Sequence, residues 1–313
     1  MARTAVVAIG GNSLIRDPGH QTVRDQYLAA AETCHHIAAM VRDGWNLAVV
    51  HGNGPQVGFI LRRSELSSHE LHEVPLDVCV ADTQGAIGYA LQQNLQGDLR
   101  RLGVDRRVVT IVTQVEVDPS DPAFEQPSKP IGSHLTEESA RLREAEGWAV
   151  AEDAGRGWRR VVPSPLPRRI VEEDVIRQLV ESRHVVIAAG GGGIPVVPDE
   201  EGHLRGVAAV IDKDHAAALL ARGIGAELFV ISTSVDRVAL DFGRPTQRWV
   251  DALSIEEAKG YLAEGSHFAE GSMAPKVRAA VWFVEHGGER ALITGPDALE
   301  AALEGRAGTL IGA

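Results

Sequence analysis

Strand-like and helix-like patterns alternate along almost the whole of this chain, and that alternation limits the fold more than any other feature of the sequence. Serial strand–helix units pair their strands in parallel, and the crossover helices must then cover both faces of the sheet. Residues 5–9 read as the first strand. Val23, Tyr27, Ala30, Cys34, Ile37 and Val41 recur at spacings of three and four, which predicts a long helix. Residues 46–51 form the next strand, and Pro55 suits the first turn of a helix carrying Val57, Ile60 and Leu61. Leu91, Leu95, Leu99 and Leu102 mark another helix, ahead of a strand at 107–113. Further on, the pattern predicts helices over 172–182 and 214–221, at Ser254 and from Pro275, with strands at 184–189, 227–232, 290–294 and 308–311 and a short strand leading to Asp212.

The alternation breaks near Asp118. From 118 to 167 the chain is rich in proline, with a short charged helix around 136–146, so it reads as a small subdomain beside the main sheet. The expected fold is an α/β open three-layer αβα sandwich with a mainly parallel central sheet and a small protruding subdomain.

Charge excludes several functions. There are 31 basic against 43 acidic residues, a net charge of −12 and a pI of about 5.5, the wrong balance for a nucleic-acid partner whose affinity rests on cations at phosphates. No run of about 18 apolar residues predicts a membrane span, and no secretory leader is recognisable. Two cysteines, Cys34 and Cys79, without a Cys-x-x-Cys pair, read as buried small hydrophobes in a reducing compartment.

Only four of the 31 basic residues are lysines. Arginine serves a solvated surface equally well, but it cannot replace a compact ammonium pressed against a phosphate. Lys259 sits in Ser254-Ile255-Glu256-Glu257, a capping-box helix start, and reads as surface. The other three lie in tight loops: Ser128-Lys129-Pro130, Asp212-Lys213-Asp214, and Ser272-Met273-Ala274-Pro275-Lys276. On composition alone, accidental retention accounts for them as readily as function does.

Their surroundings add weight. In an open parallel sheet, ligands bind beyond the carboxyl ends of the strands. Gly10-Gly11-Asn12 and Gly52-Asn53-Gly54-Pro55 are glycine-rich exits of that kind, each opening a helix, and either is a tight turn or an anion cradle. Glycines 190–193 form a third run, but Ile194-Pro195 replaces the end of a dinucleotide fingerprint, so the run is either a ligand wall or a close backbone approach. Asp212 and Asp214 flank Lys213 and either hold its ammonium or sit on a magnesium ion, with Asp214 also a candidate helix cap. Pro275 predicts a helix start there, bringing free N–H groups and Lys276 to one positive end. Neither a Gly-Lys-Ser/Thr loop nor a Gly-x-Ser-x-Gly elbow is present, which removes Walker-type binding and serine hydrolysis. The histidines read as structural or solvated.

Taken in order, these stretches resemble the carbamate kinases of the amino-acid kinase superfamily. The matching residues include Ala8-Ile9-Gly10-Gly11-Asn12, His51-Gly52-Asn53-Gly54-Pro55-Gln56-Val57-Gly58, Thr83-Gln84-Gly85, Ser128-Lys129-Pro130-Ile131-Gly132, Val210-Ile211-Asp212-Lys213-Asp214 and 271–276. The resemblance implies transfer of a phosphoryl group from ATP to carbamate, giving ADP and carbamoyl phosphate, and often run toward ATP. It implies Mg2+, a cytoplasmic homodimer and a place in arginine metabolism, with the acid bound by about residues 1–180 and the nucleotide by about 181–313.

Position by position, it assigns Gly10, Gly11 and Asn12 to the transferred phosphoryl and Gly52 and Asn53 to the acid. Lys129 reaches in from the subdomain, and Lys213 and Lys276 neutralise the nucleotide phosphates. Asp214 orients the lysines or the metal, and Thr233, Val235, Ser272 and Met273 contact the nucleotide. Where the family has Thr-Asp-Val-Asp, this chain has Thr233-Ser234-Val235-Asp236, and Ala274 replaces a common glycine. Ala8 stands where related acetylglutamate kinases carry a lysine, a cation that Lys129 replaces. The alternatives are a kinase of another small or amino-acid carboxylate, and a nucleotide-binding regulator that has lost catalysis; retention of all three loop lysines speaks against the latter.

Overall fold

The computed structural model describes residues 3–10, 19, 22–153 and 157–312. Its centre is an eight-stranded sheet in the order Ala252–Ser254, Thr309–Gly312, Arg290–Thr294, Leu228–Ser232, Thr4–Ile9, Asn46–His51, Val185–Ile187 and Val108–Thr110. Every pairing is parallel except that of Arg290–Thr294 with Thr309–Gly312. The central strands are buried on both faces, so they read as continuous apolar runs.

Strand alternation sorts those side chains between two cores. Val6, Ala8, Val50, Phe229 and Ile231 face one way, toward the helices Lys213–Gly223 and Met273–Glu285, where Phe229 meets Phe283 edge-on at 5.6 Å. Ala5, Val7, Leu47, Val49 and Val230 face the helices Val23–Arg42 and Leu76–Arg101. The result is the expected αβα sandwich.

Several boundaries differ from the sequence reading. The helix recognised from Leu91 onward begins at Leu76, because its first half interleaves buried polar residues, Thr83 and Gln84, with its apolar stripe. The strand expected at 107–113 ends at Thr110, and the chain then crosses to the strand Gln114–Val117 of a second, four-stranded sheet. No strand leads directly into Asp212: Ile194–Pro198 and Leu204–Gly206 form an antiparallel hairpin, and 207–212 is irregular. The hairpin pairing Val238–Leu240 with Arg248–Val250 had no signal beyond its short length.

Between Lys129 and Val162 lie a three-stranded antiparallel sheet and the helix Glu137–Ala145. This unit packs on the helix Gly54–Leu66 through a backbone contact so close that a Cβ on Gly58 would lie 2.2 Å from the amide nitrogen of Gly132. Beside it, the guanidinium groups of Arg62, Arg143 and Arg160 lie 5.9, 5.5 and 4.4 Å from the Trp148 ring, while Glu65 pairs with both Arg62 and Arg160.

Two glycine substitutions separate these effects. Gly97→Ala, on the exposed side of Leu76–Arg101 with open space around it, should stabilise the protein by about 0.5–1 kcal/mol through helix propensity. Gly58→Ala should lower the melting temperature because backbone cannot yield as a flexible side chain does. Equal melting shifts in the two variants would show that the Gly58–Gly132 contact is slack.

Candidate active site

The loops leaving the central strands meet at one edge of the sheet. Gly10 N–H donates to Ser232 O at 3.1 Å and Gly52 N–H to Ile9 O at 3.0 Å, so both glycines extend the ladder by one bond. Their amides are therefore engaged, and what they offer a ligand is bare backbone. Gly11 and Asn12 lie outside the described residues. Asn53 is buried and spends its side-chain amide on Thr83 Oγ1 at 2.9 Å rather than on capping Gly54–Leu66, whose N-terminus has no side-chain cap.

The glycine run at 190–193 is the spacer between the two halves of this edge. A Cβ on Gly190 would lie 2.3 Å from His51 Nε2, one on Gly191 would lie 2.2 Å from Asn53 Nδ2, and one on Gly192 would lie 2.3 Å from Ile211 O. The close approach expected of this run is present. Gln84 fastens it: its amide donates to Gly190 O at 3.0 Å and Thr113 O at 3.1 Å, and its oxygen accepts from Thr113 N–H at 2.8 Å. His51 is sealed beneath, where burial pushes its pKa down to about 4 and its ring bonds Gly52 O at 3.0 Å.

Beyond Ile211, three lysines converge on two aspartates. Lys129 Nζ donates to Asp212 Oδ2 at 2.6 Å, Lys213 Nζ to Asp214 Oδ1 at 2.6 Å, and Lys276 Nζ to Asp214 Oδ2 at 2.9 Å. These ammonium groups come from the subdomain strand, the start of Lys213–Gly223 and the first turn of Met273–Glu285. The helix cap is Asp212, whose Oδ1 accepts from Asp214 N–H at 2.9 Å; Asp214, expected as a cap, is instead inside the first turn and 2% exposed. Pro275 likewise occupies the third helical position rather than the first, since Met273–Glu285 starts two residues earlier at Met273. Ser272, Met273 and Ala274 all direct N–H groups at Ala269 O, each at 3.1 Å, leaving three donors to share one acceptor at the helix start.

Burial sets the electrostatics. Desolvation alone would raise both carboxyl groups, but Lys213 and Lys276 hold Asp214 below the carboxylate range, and Lys129, Lys213 and His215 hold Asp212 far below it. Lys213 is pushed down to about 8, chiefly by burial and also by Lys276, against the pull of Asp214. Burial also opposes the charge of Lys276, but Asp214 raises it above the ordinary lysine value. Both oxygens of Asp214 thus face ammonium groups, and among the described residues no group of three His, Cys, Asp or Glu side chains converges as a metal cage. The cluster thus sets three cations against two counter-charges beside a helix end that has no side-chain cap, a combination whose electrostatics favour an anion.

Thr233 follows the strand Leu228–Ser232 and donates its N–H to Thr294 O at 2.8 Å. Beyond it, Ser234, Val235, Asp236 and Arg237 line a depression of about 520 Å³ with Trp249 and Ala307. Lys259, read as surface, bonds Glu285 at 2.8 Å on the exterior, and Cys34 and Cys79 are buried. Sequence reasoning missed Gln84 as a positioning residue, though a signal existed: it stands in the buried stripe of Val80, Ile87 and Leu91, where an apolar side chain belongs.

The amino acid kinase family model matches residues 3–295. Across 99% of each chain, the protein is 47% identical to the carbamate kinase of Thermococcus kodakarensis and 47% identical to the carbamate kinase-like protein YahI of Escherichia coli. Among solved structures, the carbamate kinase from Giardia lamblia bound to citric acid superposes with a TM-score of 0.94 at 37% identity, covering 99% of this chain and 98% of that one. The same enzyme bound to AMP-PNP gives 0.90, with the same identity and coverage.

A titration of the lysine side chains by NMR tests the electrostatics. Lys213 should lose its proton near pH 8, whereas Lys276 should hold its proton above the ordinary 10.5. Because folding lowers the Lys213 pKa, the folded state binds fewer protons between 8 and 10.5, so this group's contribution to stability rises with pH across that window. A Lys213 midpoint at 10.5 would contradict the buried cluster.

Proposed function

The chain belongs to the amino acid kinase family, and from that premise we propose how its residues carry out carbamate kinase chemistry, the reversible reaction of ATP and carbamate to ADP and carbamoyl phosphate. The observation that carries the residue assignment is the convergence of Lys129, Lys213 and Lys276 beside the carboxyl ends of the parallel strands.

Phosphoryl transfer asks little covalent help of a protein; positioning and charge neutralisation supply most of the acceleration. Lys213 and Lys276, held a fixed distance apart by the shared carboxylate of Asp214, take the nucleotide phosphates as they arrive beside Ser272 and Met273. Lys129 takes the transferred phosphoryl from the opposite side. The family resemblance assigns Gly10, together with Gly11 and Asn12 outside the described residues, to the transferred phosphoryl, and Gly52 and Asn53 to the small acid, whose negative charge removes any need for a general base. The nucleoside then lies toward Thr233 and Val235 and the depression that ends at Trp249, where Ser234 replaces the family aspartate.

In this reading about residues 1–180 serve the acid, about 181–313 serve the nucleotide, and 118–167 form the subdomain that lends Lys129. Mg2+, if it accompanies the nucleotide, would neutralise phosphate charge as part of the substrate; Asp214, whose oxygens face two ammonium groups, is spent on the lysines. Family membership also supports a cytoplasmic homodimer, and carbamoyl phosphate as substrate supports a place in arginine metabolism. Among the described residues, no helix is long and apolar enough to cross a membrane.

Formation of ATP from ADP and carbamoyl phosphate is the direct assay. Lys213→Ala should abolish turnover in a protein that still folds but melts at a lower temperature, because Asp214 Oδ1 loses its partner, and Lys129→Ala should reduce kcat far more than it raises the KM for ADP. Normal turnover in Lys213→Ala would remove that lysine from the site; activity with acetyl phosphate exceeding that with carbamoyl phosphate would favour a kinase of another carboxylate.

A further inference from the structure

We infer that Asp212 is a positioning residue for Lys129, holding the subdomain's ammonium over the reacting centre until a phosphoryl group takes its place; this rests on the acid-side role of Lys129 proposed above. The two oxygens of Asp212 are committed to different elements. Oδ1 accepts from Asp214 N–H at 2.9 Å and so caps Lys213–Gly223, which fixes the plane of the carboxylate, and Oδ2 accepts from Lys129 Nζ at 2.6 Å. That second contact joins residues 83 positions apart and links the subdomain to the nucleotide half of the molecule.

Charge is divided accordingly. Asp214 serves the two lysines on the nucleotide side, while among the described residues Asp212 is the sole ion-pair partner of Lys129. A lysine has four carbons of free rotation, and an unpartnered Lys129 would sweep a wide arc; a carboxylate locked by its own helix cap narrows that arc to one place. The pair is also releasable. Lys129 and Asp212 are 27% and 19% exposed at their side chains, unlike Asp214 at 3%, so water screens their attraction and a doubly charged phosphoryl oxygen set competes for the ammonium.

Asp212→Asn and Asp212→Ser separate the cap from the ion pair, because both residues cap helices well. In the asparagine variant the single oxygen stays on the cap and an amide N–H2 faces Lys129; in the serine variant nothing reaches it. ATP formation from ADP and carbamoyl phosphate would be measured for each, alone and combined with Lys129→Met. If Asp212 acts through Lys129, kcat falls on the order of 10-fold in both variants while the KM for ADP holds, and neither substitution slows the Lys129→Met enzyme further. Unchanged kcat, or the same fractional loss in both backgrounds, would overturn the inference while leaving Lys129 in its role. A Lys129→Met enzyme with normal turnover would instead overturn the reading on which it stands.

Discussion

Two aspartates holding three ammonium groups in a mostly buried cluster is the interaction on which the rest of this structure depends. Removing five charges from water is expensive, and the expense is tolerable because each carboxylate oxygen answers a cation or a backbone N–H at 2.6–2.9 Å. The balance is deliberately incomplete: three positive charges against two negative leave the cluster short of an anion. Lys213, pushed toward neutrality by burial and by Lys276, stands to gain most from one. In the proposed reading a polyphosphate supplies that missing negative charge, which is the sense in which the site is preorganised for phosphoryl transfer.

The fold places that cluster by stacking constraints from the sheet outward. Parallel strands bring their exits to one edge; Gly10 and Gly52 lengthen the ladder so that two loops leave side by side. The glycine run at 190–193 then sits between His51, Asn53 and Ile211 with no room for a Cβ, setting the distance from the Gly52–Asn53 loop to the Asp212–Asp214 segment by close packing. Gln84 ties the run to Thr113, with one hydrogen bond to Gly190 O and two to the Thr113 backbone, and Gly58 against Gly132 seats the subdomain that contributes Lys129.

What the sequence disclosed was the architecture and the chemistry-bearing residue types. Alternating apolar runs specify strands that are buried on both faces, and the scarcity of lysine picks out three positions that prove to lie together, at the start of one strand and in the first turns of two helices rather than in the loops expected, because arginine replaces lysine wherever only solvent is involved. What stayed hidden depends on contacts far apart in the chain. That Asp212 and not Asp214 caps its helix follows from Asp214 being drawn inward by Lys276, 62 residues away. The first half of the helix Leu76–Arg101 was obscured by Thr83 and Gln84, polar residues whose partners, Asn53 and Gly190, lie in other loops. The short strands of the hairpin at 238–250 are held by tertiary pairing rather than by any periodicity of their own.

A crystal structure with ADP and an inert phosphonate analogue of carbamoyl phosphate tests the central claim most directly. The account predicts that the ammonium nitrogens of Lys129, Lys213 and Lys276 all lie within hydrogen-bond reach of oxygens of the two ligands' phosphorus groups, with Asp214 still between the last two lysines. Phosphate and phosphonate groups seated elsewhere on the protein, with all three lysines left on their aspartates, would contradict it.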